Sequence, residues 1–298
     1  MYSSAPKSTS YFSAPESTLD PELFDGRVLK TWVRQGINQI LFDFLNHEYR
    51  HPELWAHAWL AGSAVSYQWS AARHPSDLDC LIGLNYIQFR KANPEYAYMG
   101  DKEVGDMMNE LFKEALQPKT EDWHGYELTF YVNPGATDIR TINPYAAYSL
   151  KYDEWTVPPD PTQQPPQNDE WDAVALSDEK MANNIHTRYL QAIQDMNSAR
   201  DLPTRRNAEV RKEASETQGV MMWDEIHHNR RLAFTMDGAG YYDFHNYRWQ
   251  AAKRSGAHEL LRTIKNRVRE EEGQTNVYDT DLPDANTLVR RAATYRMS

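Results

Sequence analysis

The eight residues "DLDCLIGL", Asp77 to Leu84, alternate acidic and apolar side chains before turning wholly apolar. A period of two belongs to a strand, whose successive side chains point to opposite faces. Leu78, Cys80 and Ile82 then point one way, and Asp77 and Asp79 stand together on the other. This pattern demands a sheet with one face sealed by a core and the other able to hold two like charges side by side. Such carboxylates repel unless something positive sits between them, and a divalent cation is a common solution. The stretch "YELTFYVNPG", Tyr126 to Gly135, repeats the arrangement. Its Tyr126, Leu128, Phe130 and Val132 should face a core, with Glu127, Thr129 and Tyr131 turned away and Asn-Pro-Gly ending the strand.

Helical spacing accounts for much of the rest. Leu29, Val33, Ile37, Ile40, Leu41 and Phe44 predict an amphipathic helix over 28–45, and Val104, Met107, Met108, Leu111, Phe112 and Ala115 a second. "VPPDPTQQPPQND", residues 157–169, is too rich in Pro and Gln for either period, and 157–170 is read as a linker. Beyond it the pattern is mostly helical: Met181, Ile185, Tyr189, Ala192, Ile193 and Met196 share one face, and Trp249, Ala252, Leu260, Ile264 and Val268 another. The expected organisation is a flexible Ser/Thr/Pro tail (1–22), a sheet-bearing domain (23–156), the linker, and a helical C-terminal domain (171–298). The expected fold class is α/β (α+β): a small mixed sheet flanked by helices, with a mostly helical second lobe.

Nine Trp, eighteen Tyr and 40% hydrophobic residues supply a substantial core and exclude a disordered chain. The single cysteine, Cys80, excludes an internal disulfide and a cysteine-based zinc site; it reads as a small buried hydrophobe. That usage fits a reducing compartment, and a cytoplasmic location is expected. No apolar run is long enough to span a bilayer, and the first twenty residues lack the marks of a secretion signal.

Gly62-Ser63, a thirteen-residue spacer, Asp77-x-Asp79 and a later strand-borne acid form a combination that resembles the DNA polymerase β-type nucleotidyltransferase superfamily. The signature of that superfamily sets Gly-Ser after an apolar helix, so "ELWAHAWLA" is expected as helix, Gly62-Ser63 as the break and "DLDCLIGL" as strand. The resemblance covers about residues 55–135, and "INPYAAYSLKYDEW" and "YYDFHNYRWQAAKRSG" are similar to stretches of phage-encoded members. It implies transfer of a nucleoside monophosphate from a nucleoside triphosphate to a hydroxyl, with pyrophosphate leaving. Two Mg²⁺ (or Mn²⁺) ions are implied, both bridged by Asp77 and Asp79, with Glu127 holding the one that activates the acceptor hydroxyl. Gly62 would let the backbone approach the triphosphate, Ser63 would donate its hydroxyl, and N–H groups at a helix start would add to the anion site. Arg73 and Ser76 match residue types common just before the paired acids. Asp122 and Asp138 remain open as third acids in place of Glu127.

Residues 1–198 carry 15 basic against 28 acidic side chains, and residues 199–272 carry 14 against 12. A protein contacting many duplex phosphates needs more cations on one surface. The expected acceptor is therefore a small molecule or a single-stranded nucleic acid end, with no stable duplex binding and no membrane partner. Lys151, Lys180, Arg188, Arg230 and Arg231 qualify as triphosphate ligands by charge alone and stay outside the site. Adjacent His227 and His228 face different ways on a helix, which argues against zinc, and "DGAGYYD" fits neither a calcium loop nor a P-loop. The rival readings are a catalytically silent nucleotide-binding module and a protein-interaction module on the same fold.

Overall fold

A computed structural model describes residues 15–69, 76–133 and 137–277. The chain falls into two compact units that part between Pro165 and Pro166, within the Pro/Gln segment. The fold is mixed α/β: a five-stranded sheet in the first unit, followed by a mostly helical second unit.

The first unit opens with a short hairpin, β1 (Phe24–Asp25) and β2 (Val28–Leu29), followed by α1 (Thr31–Glu48). The helix expected over 28–45 thus starts three residues late, because Val28 and Leu29 are spent on pairing with β1. Val33, Ile37, Leu41 and Leu45, four residues apart, form its buried stripe. There follow α2 (Pro52–Trp55), β3 (Ala56–Ala61), β4 (Ser76–Leu84), α3 (Tyr86–Ala92), α4 (Asp101–Leu111), β5 (Tyr126–Val132), β6 (Ala147–Ser149) and β7 (Glu154–Val157). A π-helical turn at Phe112–Leu116 extends α4 and buries Phe112 and Leu116.

The sheet order is β5-β4-β3-β6-β7, with β4 and β5 parallel and the other neighbours antiparallel. One face carries the main core: Leu78, Cys80, Ile82 and Leu84 of β4 and Leu128, Phe130 and Val132 of β5 pack in one cluster with the α1 stripe and with Val104, Met107 and Met108 of α4. Cys80 is fully buried, and burial, reinforced by the Asp79 charge, pushes its thiol pKa well up. Among the described residues the opposite face carries a small apolar cluster of Trp59, Ala61, Ile139 and Ala147, with Leu81, Ile142 and Val157 against it.

The second unit is built on α5 (Asp169–Ser198), α6 (Leu202–Ala233), α7 (Phe244–Ser255) and α8 (Ala257–Val277). Asn168, Asp201 and Asp243 cap the first three, each side chain accepting from a backbone N–H of the first turn. Ala182, Ile185, Tyr189, Met222, Ile226, Trp249, Ala252, Leu261 and Ile264 form its core. Met181, assigned from spacing to the buried face of α5, is 51% exposed, and its neighbour Ala182 is buried instead. On α8 the same one-residue shift buries Leu261 while Leu260 is only half-buried. Among the described residues no helix is long and apolar enough to cross a membrane.

Two imidazoles are packed into this helical core. His258 lies 4.4 Å from Trp223 and 4.6 Å from Trp249 between ring centroids, and His227 stacks on Trp223. Burial, with nearby Lys and Arg charges, lowers the His227 pKa to about 4 and the His258 pKa to about 3. Both are therefore neutral in the fold, while an unfolded chain binds their protons from about pH 6.5 downward. Their contribution to stability is complete above pH 6.5 and is lost as the pH falls through that value toward 4 and then 3. Denaturation midpoints of the helical unit should drop over this range, and His227→Gln with His258→Gln should flatten the drop.

Candidate active site

Parallel pairing of β4 with β5 sets Asp77 opposite Glu127 and Asp79 opposite Thr129. Register partners in a parallel pair share a face, so all four side chains lie on the side away from the main core. The neighbouring residues Leu78, Cys80 and Leu128 are fully buried on the other side and hold both strands in this register. Thr129 donates its hydroxyl to Asp79 Oδ1 at 2.9 Å, which orients the Asp79 carboxylate. Asp79 is exposed, and Asp77 and Glu127 are half-buried.

On its other side β4 pairs with β3, and Ala61 stands opposite Asp79. Gly62 follows with φ +90°, and a Cβ built there would lie 3.0 Å from Asp79 Oδ2. The glycine thus does two things: it turns the chain out of β3 and it leaves room for the carboxylate. Gly62→Ala should cost about 1–2 kcal/mol for the left-handed backbone and displace the Asp79 side chain. Urea denaturation checks the first effect, and the Asp79 backbone and side-chain NMR shifts check the second.

The segment before Gly62 is strand β3, not the helix expected of "ELWAHAWLA"; only Pro52–Trp55 is helical. As a central strand β3 buries nearly every residue on both faces and so shows no polar alternation. Nor does a helix begin at Gly62-Ser63. The Ser63 carbonyl instead accepts from the Ser66 N–H at 3.0 Å and from its hydroxyl at 2.9 Å, closing a turn. The anion site expected from a helix start is therefore absent at this point. Arg73 lies outside the described residues, and Ser76 opens β4 opposite Tyr126.

The rival third acids have local duties. Asp138 accepts from the Arg140 backbone N–H and from Nε and Nη2 of its guanidinium, the last two at 2.9 Å and 2.5 Å, and this pairing holds its carboxyl below the usual range. Asp122 accepts from the Gly125 N–H at 3.1 Å in the turn before β5. Glu127 is the second residue of β5, opposite Asp77. Lys151 lines a cleft with His57 and Gly83, at the opposite end of β4 from the paired acids. Lys180, Arg188, Arg230 and Arg231 belong to the helical unit.

Among the described residues no three His, Cys, Asp or Glu side chains are gathered closely enough to hold a metal ion by themselves. The donors present are nonetheless all carboxylate oxygens, the type that suits Mg²⁺ or Mn²⁺, and Asp77 with Glu127 are direct neighbours. Mg²⁺ is held by one or two carboxylates with phosphate oxygens and water completing its shell, rather than by an all-protein cage. The residues fit an ion of that kind brought with a nucleotide; they do not form a closed structural site. Sequence reasoning missed His57 and its stack on Trp59 at 3.7 Å on the same sheet face; the alternation His57, Trp59, Ala61 carried the signal once β3 is taken as a strand. Comparison with family models, curated proteins and solved structures finds no match to this chain.

Proposed function

We infer that the acidic face of β4 and β5 transfers a nucleoside monophosphate from a nucleoside triphosphate to a hydroxyl acceptor, with release of pyrophosphate. The observation that carries this reading is the parallel register that sets Asp77 beside Glu127 and Asp79 beside Thr129, with Gly62 against Asp79. A bound Mg²⁺ would neutralise charge at the α-phosphate and make the acceptor hydroxyl easier to deprotonate. Asp77 and Asp79 would hold that ion, Thr129 keeping Asp79 aimed by its hydrogen bond. Glu127 would take the proton from the acceptor hydroxyl as its oxygen attacks the α-phosphorus and the bond to the pyrophosphate oxygen breaks. Gly62 offers a backbone that phosphate oxygens can approach closely.

The test is incubation with each α-labelled nucleoside triphosphate and Mg²⁺, with and without cell extract. Label should move from triphosphate to an acceptor, with pyrophosphate released in equal amount. Nucleotide binding that depends on metal but yields no transfer with any acceptor fraction would favour a silent nucleotide-binding module. Glu127→Gln should lower turnover about 10²–10⁴-fold, the range of a positioned general base, with a much smaller effect on triphosphate affinity. Asp138→Asn should leave turnover near wild type; the reverse pattern moves the base role to Asp138.

A further inference from the structure

The carboxyl end of β4 carries a second feature on the same sheet face. A cleft of about 520 Å³ opens there, within the roughly 300–1,000 Å³ of small-ligand pockets. Four residues of β4, about 13 Å of strand, separate its Gly83 from Asp79, and Trp59, Ala61 and Leu81 fill the space between as part of the small apolar cluster. The cleft is thus distinct from the acidic site.

Its floor is rigid. Gly83 is opposite His57, and a Cβ at Gly83 would fall 2.5 Å from the Thr137 carbonyl oxygen and 2.9 Å from the Trp59 ring, so the chain closes directly on the strand. His57 is held on three sides: stacked on Trp59, edge-on to Tyr152 at 5.2 Å, and bonded through Nε2 to the Ser149 hydroxyl at 2.9 Å. Ser149 is fully buried and already accepts from the Tyr152 N–H. Among the described residues His57 Nε2 is the acceptor for its own proton, which places the imidazole proton on Nδ1. The His57 pKa is lowered to about 4, by burial first and by the Lys151 charge second, with Asp138 acting the other way. The ring is therefore a neutral donor at physiological pH.

Lys151 supplies a second donor to the cleft. Its ammonium lies 5.8 Å above the Tyr152 ring and makes no ion pair with any described residue. The acid on the lining, Asp101, is already bound by Arg90 at 2.5 Å. Leu54 and Ile87, 60% and 67% exposed, form apolar walls. Two donors without acceptors beside exposed aliphatic walls are complementary to an oxyanion attached to an apolar body.

We propose that this cleft binds a small organic anion, a carboxylate or phosphate monoester, with its oxygens on Lys151 and His57 and its apolar body against Leu54 and Ile87. The site does not depend on the transfer reaction assigned to Asp77 and Asp79. The probes are benzoate, phenyl phosphate and inorganic phosphate, titrated into the full chain while the His57 ring is followed by NMR. At least one organic probe should shift the His57 signals saturably and raise its pKa, since a bound oxyanion offsets the Lys151 charge; the tighter of the two identifies the oxyanion. Inorganic phosphate should bind at least tenfold more weakly. Lys151→Met, at an exposed position, should keep the fold by circular dichroism and lose at least tenfold in affinity, and Asp77→Asn should bind as wild type. No saturable change at His57, equal binding by Lys151→Met, or equal binding of inorganic phosphate would each overturn the proposal.

Discussion

Asp77→Asn and Asp79→Asn are each expected to lower nucleotidyl transfer by at least about 10²–10³-fold, the usual cost of removing one preorganised electrostatic group. The effect should fall on turnover because each carboxylate would hold the cation that stabilises the transition state. The fold should survive. Strand β4 is pinned by Leu78, Cys80 and Ile82 on its buried face, and an Asn at position 79 can still accept through Oδ1 the hydroxyl proton that Thr129 now gives to Asp79. Neutralising one of two like charges on a single face removes repulsion in the absence of metal. Both variants should therefore melt at or above the wild-type temperature in metal-free buffer. A large fall in melting temperature there would assign the pair a structural role instead.

The largest effect on stability is expected at Arg248. Its guanidinium bonds both carboxylate oxygens of Asp178, at 2.5 and 3.0 Å, and Glu225 at 2.6 Å, tying α7 to α5 and α6. The Arg248 and Asp178 side chains are only 12% and 10% exposed. Arg248→Met leaves a buried carboxylate without its partner, which costs about 3–5 kcal/mol. Glu225 is 56% exposed and should add little, since water replaces the lost contact. The double variant Arg248→Met/Asp178→Leu removes both charges and should recover most of the loss. Urea denaturation of wild type, Arg248→Met, Asp178→Leu and the double variant gives the coupling directly. Additive losses would mean that the pair is better solvated than its geometry indicates.

What could be read in the sequence follows from how each element is exposed. Strands β4 and β5 were legible because one face is buried and the other is not, so polarity alternates along them. That same alternation placed Asp77, Asp79 and Glu127 on one face before their pairing was known. Strand β3 was not legible: both of its faces are covered, and "AHAWLA" satisfies a helical and an extended reading equally. The start of α1 was misplaced because Val28 and Leu29 continue its apolar pattern while pairing with β1. Met181 and Leu260 were each one residue off the buried stripe, a shift of about 100° on a helix that a long amphipathic pattern tolerates. The cleft at His57 joins residues from Leu54 to Lys151, and such a site exists only after the chain has folded.

The central proposal is that Asp77 and Asp79 hold a divalent ion in company with a nucleotide. Electron paramagnetic resonance of Mn²⁺, titrated with a non-hydrolysable nucleoside triphosphate, reads this without requiring the acceptor. Wild-type protein should bind Mn²⁺ weakly alone and much more tightly with the nucleotide, and Asp77→Asn and Asp79→Asn should each lose that binding. Nucleotide-assisted Mn²⁺ binding of equal strength in wild type and both variants, or its absence from wild type, would contradict the account.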